Sequence, residues 1–236
     1  MNEPIKKIWA IIPAAGVGAR MKADKPKQYI RVGNQSLIEM TLQAILNFPL
    51  ISGVQVCISA DDQEWKTLNI EHEKLLATTI GGKTRADSVL AGLKALSKFA
   101  NGDDWIMVHD AARPCISQAA LTYFVGQLEG HATGGLMAMP IADTLKKADV
   151  NGNVSKTISR ENMWQAQTPQ MFRFQTLRDA LLDAKEKNLE ITDEASAMEM
   201  AGHPIALING ERSNIKVTYP GDEKWIELFK QFKRNS

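Results

Sequence analysis

Ile8-Trp9-Ala10-Ile11-Ile12-Pro13-Ala14-Ala15-Gly16-Val17-Gly18-Ala19-Arg20-Met21 is the stretch that decides the fold. Its first part is apolar without alternation, the mark of a strand buried on both faces inside a parallel sheet. The run stops at Pro13, and the small residues after it leave backbone N–H groups room to close on an anion. In open α/β sheets ligands bind at the carboxyl ends of the strands, so a site is expected at this junction.

Working outward, apolar runs at Gly53–Ser59, Trp105–His109 and Gly135–Met139 read as further buried strands. Helices fall between them. Ser36 and Glu39 form a capping box ahead of Leu37, Ile38, Leu42, Ile45 and Leu46, and Thr84 and Asp87 form another ahead of Val89, Leu90, Leu93 and Leu96. The alternation predicts an α/β fold: a mostly parallel sheet with helices on both faces. The rhythm breaks over 141–160, a polar segment with Asn151-Gly152 at its middle, a strong hairpin signal. Its flanks, Thr144–Val150 and Val154–Ile158, hold too few apolar residues to share the main core, so a protruding β-hairpin arm is expected. Helices near Gln175–Lys187 and Asp193–Ala201, a strand near Ile205–Ile208 and a closing helix around Asp222–Phe232 complete one domain spanning 1–236.

Composition narrows the function. Among 236 residues, 28 Lys plus Arg stand against 27 Asp plus Glu, a formal net charge of +1, with 44% hydrophobic residues. That balance opposes a broad basic face for nucleic acid. No run approaches the ~18–20 apolar residues of a membrane span, and the run after Met1–Lys7 is too short for a signal peptide. Cys57 and Cys115 form no C-x-x-C pair, so neither a zinc ribbon nor a disulfide framework is indicated. A cytoplasmic protein is expected.

The chemistry-bearing residues follow the strands. Arg20, Lys22, Lys25, Lys27 and Arg31 face the single acid Asp24 just after the small-residue loop, which suits a polyphosphate. Met21 stands where the dinucleotide fingerprint needs its third glycine. Gly81-Gly82-Lys83-Thr84 imitates the end of a P-loop, but position 77 is Ala, so these residues read as a turn and helix cap compatible with backbone contact to a base. Asp110 falls at a strand end, where a carboxylate either serves Mg²⁺ or closes a turn. His109 reads as packed, while His72, His131 and His203 show no metal spacing. Thr192 with Asp193 and Glu194 reads as an N-cap with acids favouring the helix dipole. Lys216, a cation in an apolar strand-like run, either snorkels to a rim or points into a site.

In order, P-A-A-G-x-G-x-R-M, K-P-K-Q-Y, G-G-x-x-R-x-x-S-V, H-D-A-A-R-P, T-P-Q, I-T-D-E-A-S and N-I-K-V-T resemble the 2-C-methyl-D-erythritol 4-phosphate cytidylyltransferase family from Ile8 to about Asp222. The resemblance implies a Rossmann-like nucleotidyltransferase, homodimeric through the 141–160 arm and dependent on Mg²⁺. Methylerythritol phosphate would attack the α-phosphorus of CTP and release pyrophosphate. By the same resemblance Arg20 and Lys27 hold the triphosphate, while Arg160 and Lys216 neutralise the attacking phosphate. Ala14, Ala15, Gly16, Gly82, Lys83, Ser88 and Ala111 surround the nucleotide. Asp110 and Arg113 face the sugar phosphate or its metal, Thr168, Thr192 and Lys216 complete that pocket, and Thr144 and Arg160 reach the partner subunit's site. Position 83 departs from the family pattern of an acidic or small residue, so only a backbone role carries over to Lys83. The chain closes soon after its last helix, and a monofunctional enzyme is expected. Ribitol-5-phosphate cytidylyltransferase is the near rival, opposed by Pro13-Ala14-Ala15-Gly16 and Asp110-Ala111-Ala112-Arg113-Pro114 where A-G-G and D-A-V-R-P are expected. A nicotinamide-binding oxidoreductase is opposed by Met21 and the cationic loop. A non-catalytic nucleotide-binding module leaves Lys27, Asp110, Arg160 and Lys216 without a common purpose.

Overall fold

The computed structural model describes residues 6–16 and 25–234. Arg20 and the neighbouring Lys22 and Asp24 lie outside the described residues. The opening strand β1 (Ile8–Pro13) does what its composition requires, burying Ala10 and Ile12 in one layer and Trp9 and Ile11 in the other. After it come a small hairpin of β2 (Arg31–Val32) and β3 (Gln35–Ser36), then α1 (Leu37–Leu46), β4 (Ile51–Ile58), β5 (Thr79–Ile80) and α2 (Arg85–Leu96). The chain continues through β6 (Trp105–Val108), α3 (Gln118–Leu128), β7 (Gly134–Pro140) and the arm strands β8 (Leu145–Ala148) and β9 (Val154–Ile158). It closes with β10 (Trp164–Arg173), α4 (Phe174–Glu186), α5 (Glu194–Met200), β11 (Ala206–Asn209) and α6 (Asp222–Arg234).

The main sheet has seven strands in the order β11-β7-β10-β6-β1-β4-β5. All its pairings are parallel except those of β10, which runs antiparallel to both β6 and β7. Leu42 and Ile45 of α1 and Leu121 and Phe124 of α3 cover one face; Leu93 of α2, Leu177 of α4 and Met198 of α5 cover the other. Ile226 seats α6 on a smaller cluster with Leu37, Met40 and Val217. Both capping boxes form: Ser36 with Glu39 and Thr84 with Asp87. β8 and β9 pair only with each other, as an arm outside the sheet, and Gly152 takes the left-handed φ of +83° that its turn requires.

Three sequence expectations are revised. The central strand β10 is not foreshadowed, because Trp164-Gln-Ala-Gln-Thr-Pro-Gln is polar and carries a proline. Its register with β7 slips there: Ala166 faces Ala138 and Gln170 faces Leu136, so Gln167–Pro169 lie within the slip, out of the ladder with β7. The third strand ends at Val108, leaving His109 beyond it. The run around Lys216 is a loop rather than a strand, tied down where Val217 N donates to Ala112 O at 3.0 Å.

Phe172 of β10, fully buried in the same core layer as Leu177 of α4, is expected to be worth about 3–5 kcal/mol as a packed ring. Phe172→Ala should lower the free energy of urea unfolding by that amount without changing the sheet's circular dichroism at low denaturant.

Candidate active site

A cleft of about 340 Å³ opens at the carboxyl end of β1. Every position expected around a nucleotide lines it: Ala14, Ala15 and Gly16 after β1, Gly82, Lys83 and Ser88 before and within α2, and Ala111 after β6. Lys27 lines it as well, on a 3-10 turn, with Nζ donating to Val217 O at 3.1 Å. The buried Gln28 fixes the small-residue loop, its Nε2 donating to Ala14 O at 2.7 Å and Gly16 O at 3.3 Å. The Ala14 N–H donates to Cys57 O at 2.7 Å, so the start of the loop is held from both sides, by its carbonyls on Gln28 and by its amide on β4.

The Gly81–Gly82 turn is tight for a steric reason. A Cβ on Gly82 would sit 2.2 Å from Asp87 Cβ, and one on Gly81 would sit 2.7 Å from both Ala15 Cβ and Ser88 Oγ. Ser88 accepts the Gly82 N–H at 3.1 Å and donates to Thr84 O at 3.0 Å, so its hydroxyl shapes the turn. The Lys83 side chain is exposed at the rim.

A second cavity of about 190 Å³ adjoins the first. Asp110, Arg113, Thr168, Thr192 and Lys216, the positions that the resemblance assigns to the second substrate, all line it, together with Gln170 and Asp193. Arg85, Asp110 and Lys216 line both cavities and form the wall between them. Lys216 therefore points into the site: its Nζ lies 2.7 Å from Asp110 Oδ2. Arg85 Nε lies 3.1 Å from Asp110 Oδ1, and Arg113 Nε is 3.6 Å from Oδ2. Burial alone would raise the Asp110 pKa, but Arg85, Lys216 and Arg113 outweigh it and hold the carboxyl well below its ordinary range.

His109 is fully buried, and burial lowers its pKa to about 4. Its bonds then define the tautomer. Nε2–H donates to Arg113 O at 3.1 Å, Nδ1 accepts from Thr168 Oγ1 at 3.2 Å, and Thr168 Oγ1 accepts the Asp110 N–H at 3.0 Å. Thr168 thus anchors the Asp110 turn from inside the protein. Asn214 extends the scaffold: its Nδ2 donates to Thr168 O at 2.7 Å and its backbone carbonyl accepts from Arg113 Nη1 at 2.7 Å.

Sequence reasoning assigned no site role to Gln28, Arg85, Glu194 or Asn214, although all stand inside the quoted motifs. Glu194 is not a solvent-side dipole acid; it is buried and accepts from Arg85 Nη1. The cap of α5 is Asp193, whose side chain accepts Ser196 N, rather than Thr192, which is exposed in the second cavity. Thr144 and Arg160 are exposed on the arm and line neither cavity of their own chain; Arg160 Nη1 donates to Ala142 O.

The surroundings of Asp110 do not suit it as a direct Mg²⁺ ligand. Both its oxygens are engaged by cations, and among the described residues no group of three or more His, Cys, Asp or Glu could hold a metal. Among them also, no helix is long and apolar enough to cross a membrane.

Residues 8–229 match the family model for 2-C-methyl-D-erythritol 4-phosphate cytidylyltransferase (IspD). Proteins of that name from Ectopseudomonas mendocina and Pseudomonas aeruginosa are 46% and 47% identical over 221 and 215 residues, covering 93% and 91% of this chain and 94% and 92% of their own. Among solved structures, a 4-diphosphocytidyl-2C-methyl-D-erythritol synthase superposes with a TM-score of 0.84 at 36% identity, over 95% of this chain and 99% of its own. The Francisella tularensis 2-C-methyl-D-erythritol 4-phosphate cytidylyltransferase gives 0.82 at 34% identity, over 94% and 99%.

The neutral His109 makes stability depend on pH. Between its unfolded pKa near 6.5 and its folded value of about 4, the unfolded chain binds more protons, so stability falls as pH drops through that window. The loss is about 3 kcal/mol across the window. Urea midpoints at pH 7 and pH 4.5 should show this slope in the wild type and a clearly shallower one in His109→Gln.

Proposed function

The chain belongs to the 2-C-methyl-D-erythritol 4-phosphate cytidylyltransferase family, and we infer from that membership and from the paired cavities how it works. It is a cytidylyltransferase that joins CTP to 2-C-methyl-D-erythritol 4-phosphate. The products are 4-diphosphocytidyl-2-C-methyl-D-erythritol and pyrophosphate, in the non-mevalonate route to isoprenoids. The observation that carries the division of labour is the shared wall: nucleotide positions line one cavity, sugar-phosphate positions the other, and Arg85, Asp110 and Lys216 line both.

The reaction brings two anions together. Two unit charges ~4 Å apart repel by ~4 kcal/mol at an effective dielectric of 20, and each ~1.4 kcal/mol is tenfold in rate. Lys27 in the first cavity is assigned to the triphosphate, as is Arg20. Lys216 and Arg113 in the second are assigned to the incoming phosphate. No covalent intermediate is required, since alignment and charge stabilisation suffice for phosphoryl-type transfer. Mg²⁺, when bound, supplies further neutralisation of the triphosphate, whose oxygens and waters suit it better than the cation-locked Asp110.

Residues 1–236 are read as one nucleotidyltransferase domain whose 141–160 arm mediates homodimerisation. The arm exposes Val150 and Val154 and carries Thr144 and Arg160 away from their own cavities, which supports delivery to the partner subunit's site. Two buried cysteines suit a reducing cytoplasm.

Pyrophosphate release should require CTP with methylerythritol phosphate and be negligible with ribitol 5-phosphate; the reverse preference would favour the ribitol enzyme. Lys27→Ala and Lys216→Ala should each lower kcat by about 100-fold or more, the scale of losing one preorganised charge contact. Equimolar mixing of inactive Arg160→Ala and Lys27→Ala proteins should restore roughly a quarter of wild-type activity. Half the dimers are mixed, and each of those holds one intact site. No recovery despite verified subunit exchange refutes delivery in trans.

A further inference from the structure

The motifs contain one charged pair that the reaction as described leaves without a role: Arg85 of G-G-x-x-R and Glu194 of I-T-D-E-A-S. Arg85 is the first residue of α2 and Glu194 the first of α5. The loop before α2 lines the nucleotide cavity, while Thr192 and Asp193, just before α5, line the other. One guanidinium joins these walls. Its Nη1 donates to Glu194 Oε1, and its Nε donates to Asp110 Oδ1 at 3.1 Å.

Stability does not explain the pair. Arg85 Nη2 and Glu194 Oε2 are buried and lack hydrogen-bond partners among the described residues. A half-satisfied buried ion pair is at best level with apolar packing. The nucleotide turn does not need the Arg85 side chain either, because the Thr84–Asp87 box and Ser88 already hold it. What Arg85 supplies is a second point of attachment for the carboxylate. Lys216 and Arg113 both approach Oδ2, whereas Arg85 grips Oδ1. With Oδ1 released, the carboxylate would be free to engage Lys216 and Arg113 with both oxygens rather than with Oδ2 alone, and so occupy the charges that the incoming phosphate must use.

We infer that Arg85 is a positioning residue for the second substrate: anchored by Glu194, it sets the Asp110 carboxylate in the wall between the two cavities. This rests on the functional reading above. Steady-state kinetics on Arg85→Lys test it, because an ammonium keeps the charge but cannot fork between two carboxylates. The KM for methylerythritol phosphate should rise at least about tenfold, the scale of a misplaced positioning group, while the KM for CTP stays within about threefold. An unchanged methylerythritol phosphate KM, or an equal rise in both constants, overturns the inference. Should Arg85→Lys fail to fold, Glu194→Gln removes the anchoring charge while keeping the shape and is read by the same two constants. Failure of both variants to fold makes the pair structural and overturns the inference too. A wild-type protein that releases no pyrophosphate overturns the functional reading and this inference with it, whereas an active wild type beside kinetically unaltered variants overturns the inference alone.

Discussion

A carboxylate removed from water must be matched by charge at close range, and Asp110 imposes that requirement on the whole site. Its partners come from far apart in the chain: Arg85 opens α2, Arg113 follows the same turn as Asp110, and Lys216 arrives on a loop beyond β11. Bringing them together dictates that the loops at one end of the sheet converge. The buried groups behind them, Thr168, Asn214 and His109, are hydrogen-bonded into one scaffold that keeps the turn from shifting. The fold's parallel core thus serves mainly to deliver loop ends to one point.

That arrangement also explains why a buried acid stands at the meeting point of three bases. Without Asp110, Arg85, Arg113 and Lys216 would repel one another, with Glu194 balancing Arg85 alone. Asp110 holds them at contact distance, and on the proposed function phosphates become their partners during the reaction. The cost of assembling positive charge is met during folding, and less reorganisation is left for the moment of reaction, the economy expected of preorganised sites.

Legibility in the sequence followed the physics of each element. β1, β4, β6 and β7 are apolar on both sides, and their runs need no context to be read. The arm was legible from Asn151-Gly152, and the two capping boxes from spacing alone. β10 was not, because its middle holds the polar Gln167, Thr168 and Gln170, which line the second cavity rather than fill the core. Lys216 stood out as an ion in an apolar run. Arg85 and Glu194 did not, since at the start of a helix a buried ion is written with the same letters as a solvated one, and only the tertiary contact between α2 and α5 distinguishes them. Gln28 and Asn214 were silent for the same reason: an amide's value lies in which carbonyls it reaches.

The antiparallel ribbon of β7 and β10, broken by the slip at Gln167–Pro169, leads from the sheet toward the arm, so the arm is a cantilever rooted in the same strand that carries Thr168. Side chains alternate along such a ribbon with a period of two residues. Lengthening each side by one residue would therefore turn every outboard side chain onto the opposite surface, whereas a change of two would move the tip outward with its facing preserved. Within either ribbon, changes of reach that keep the facing of the tip therefore come in even steps, and an odd change falls to the links between β7 and β8 and between β9 and β10.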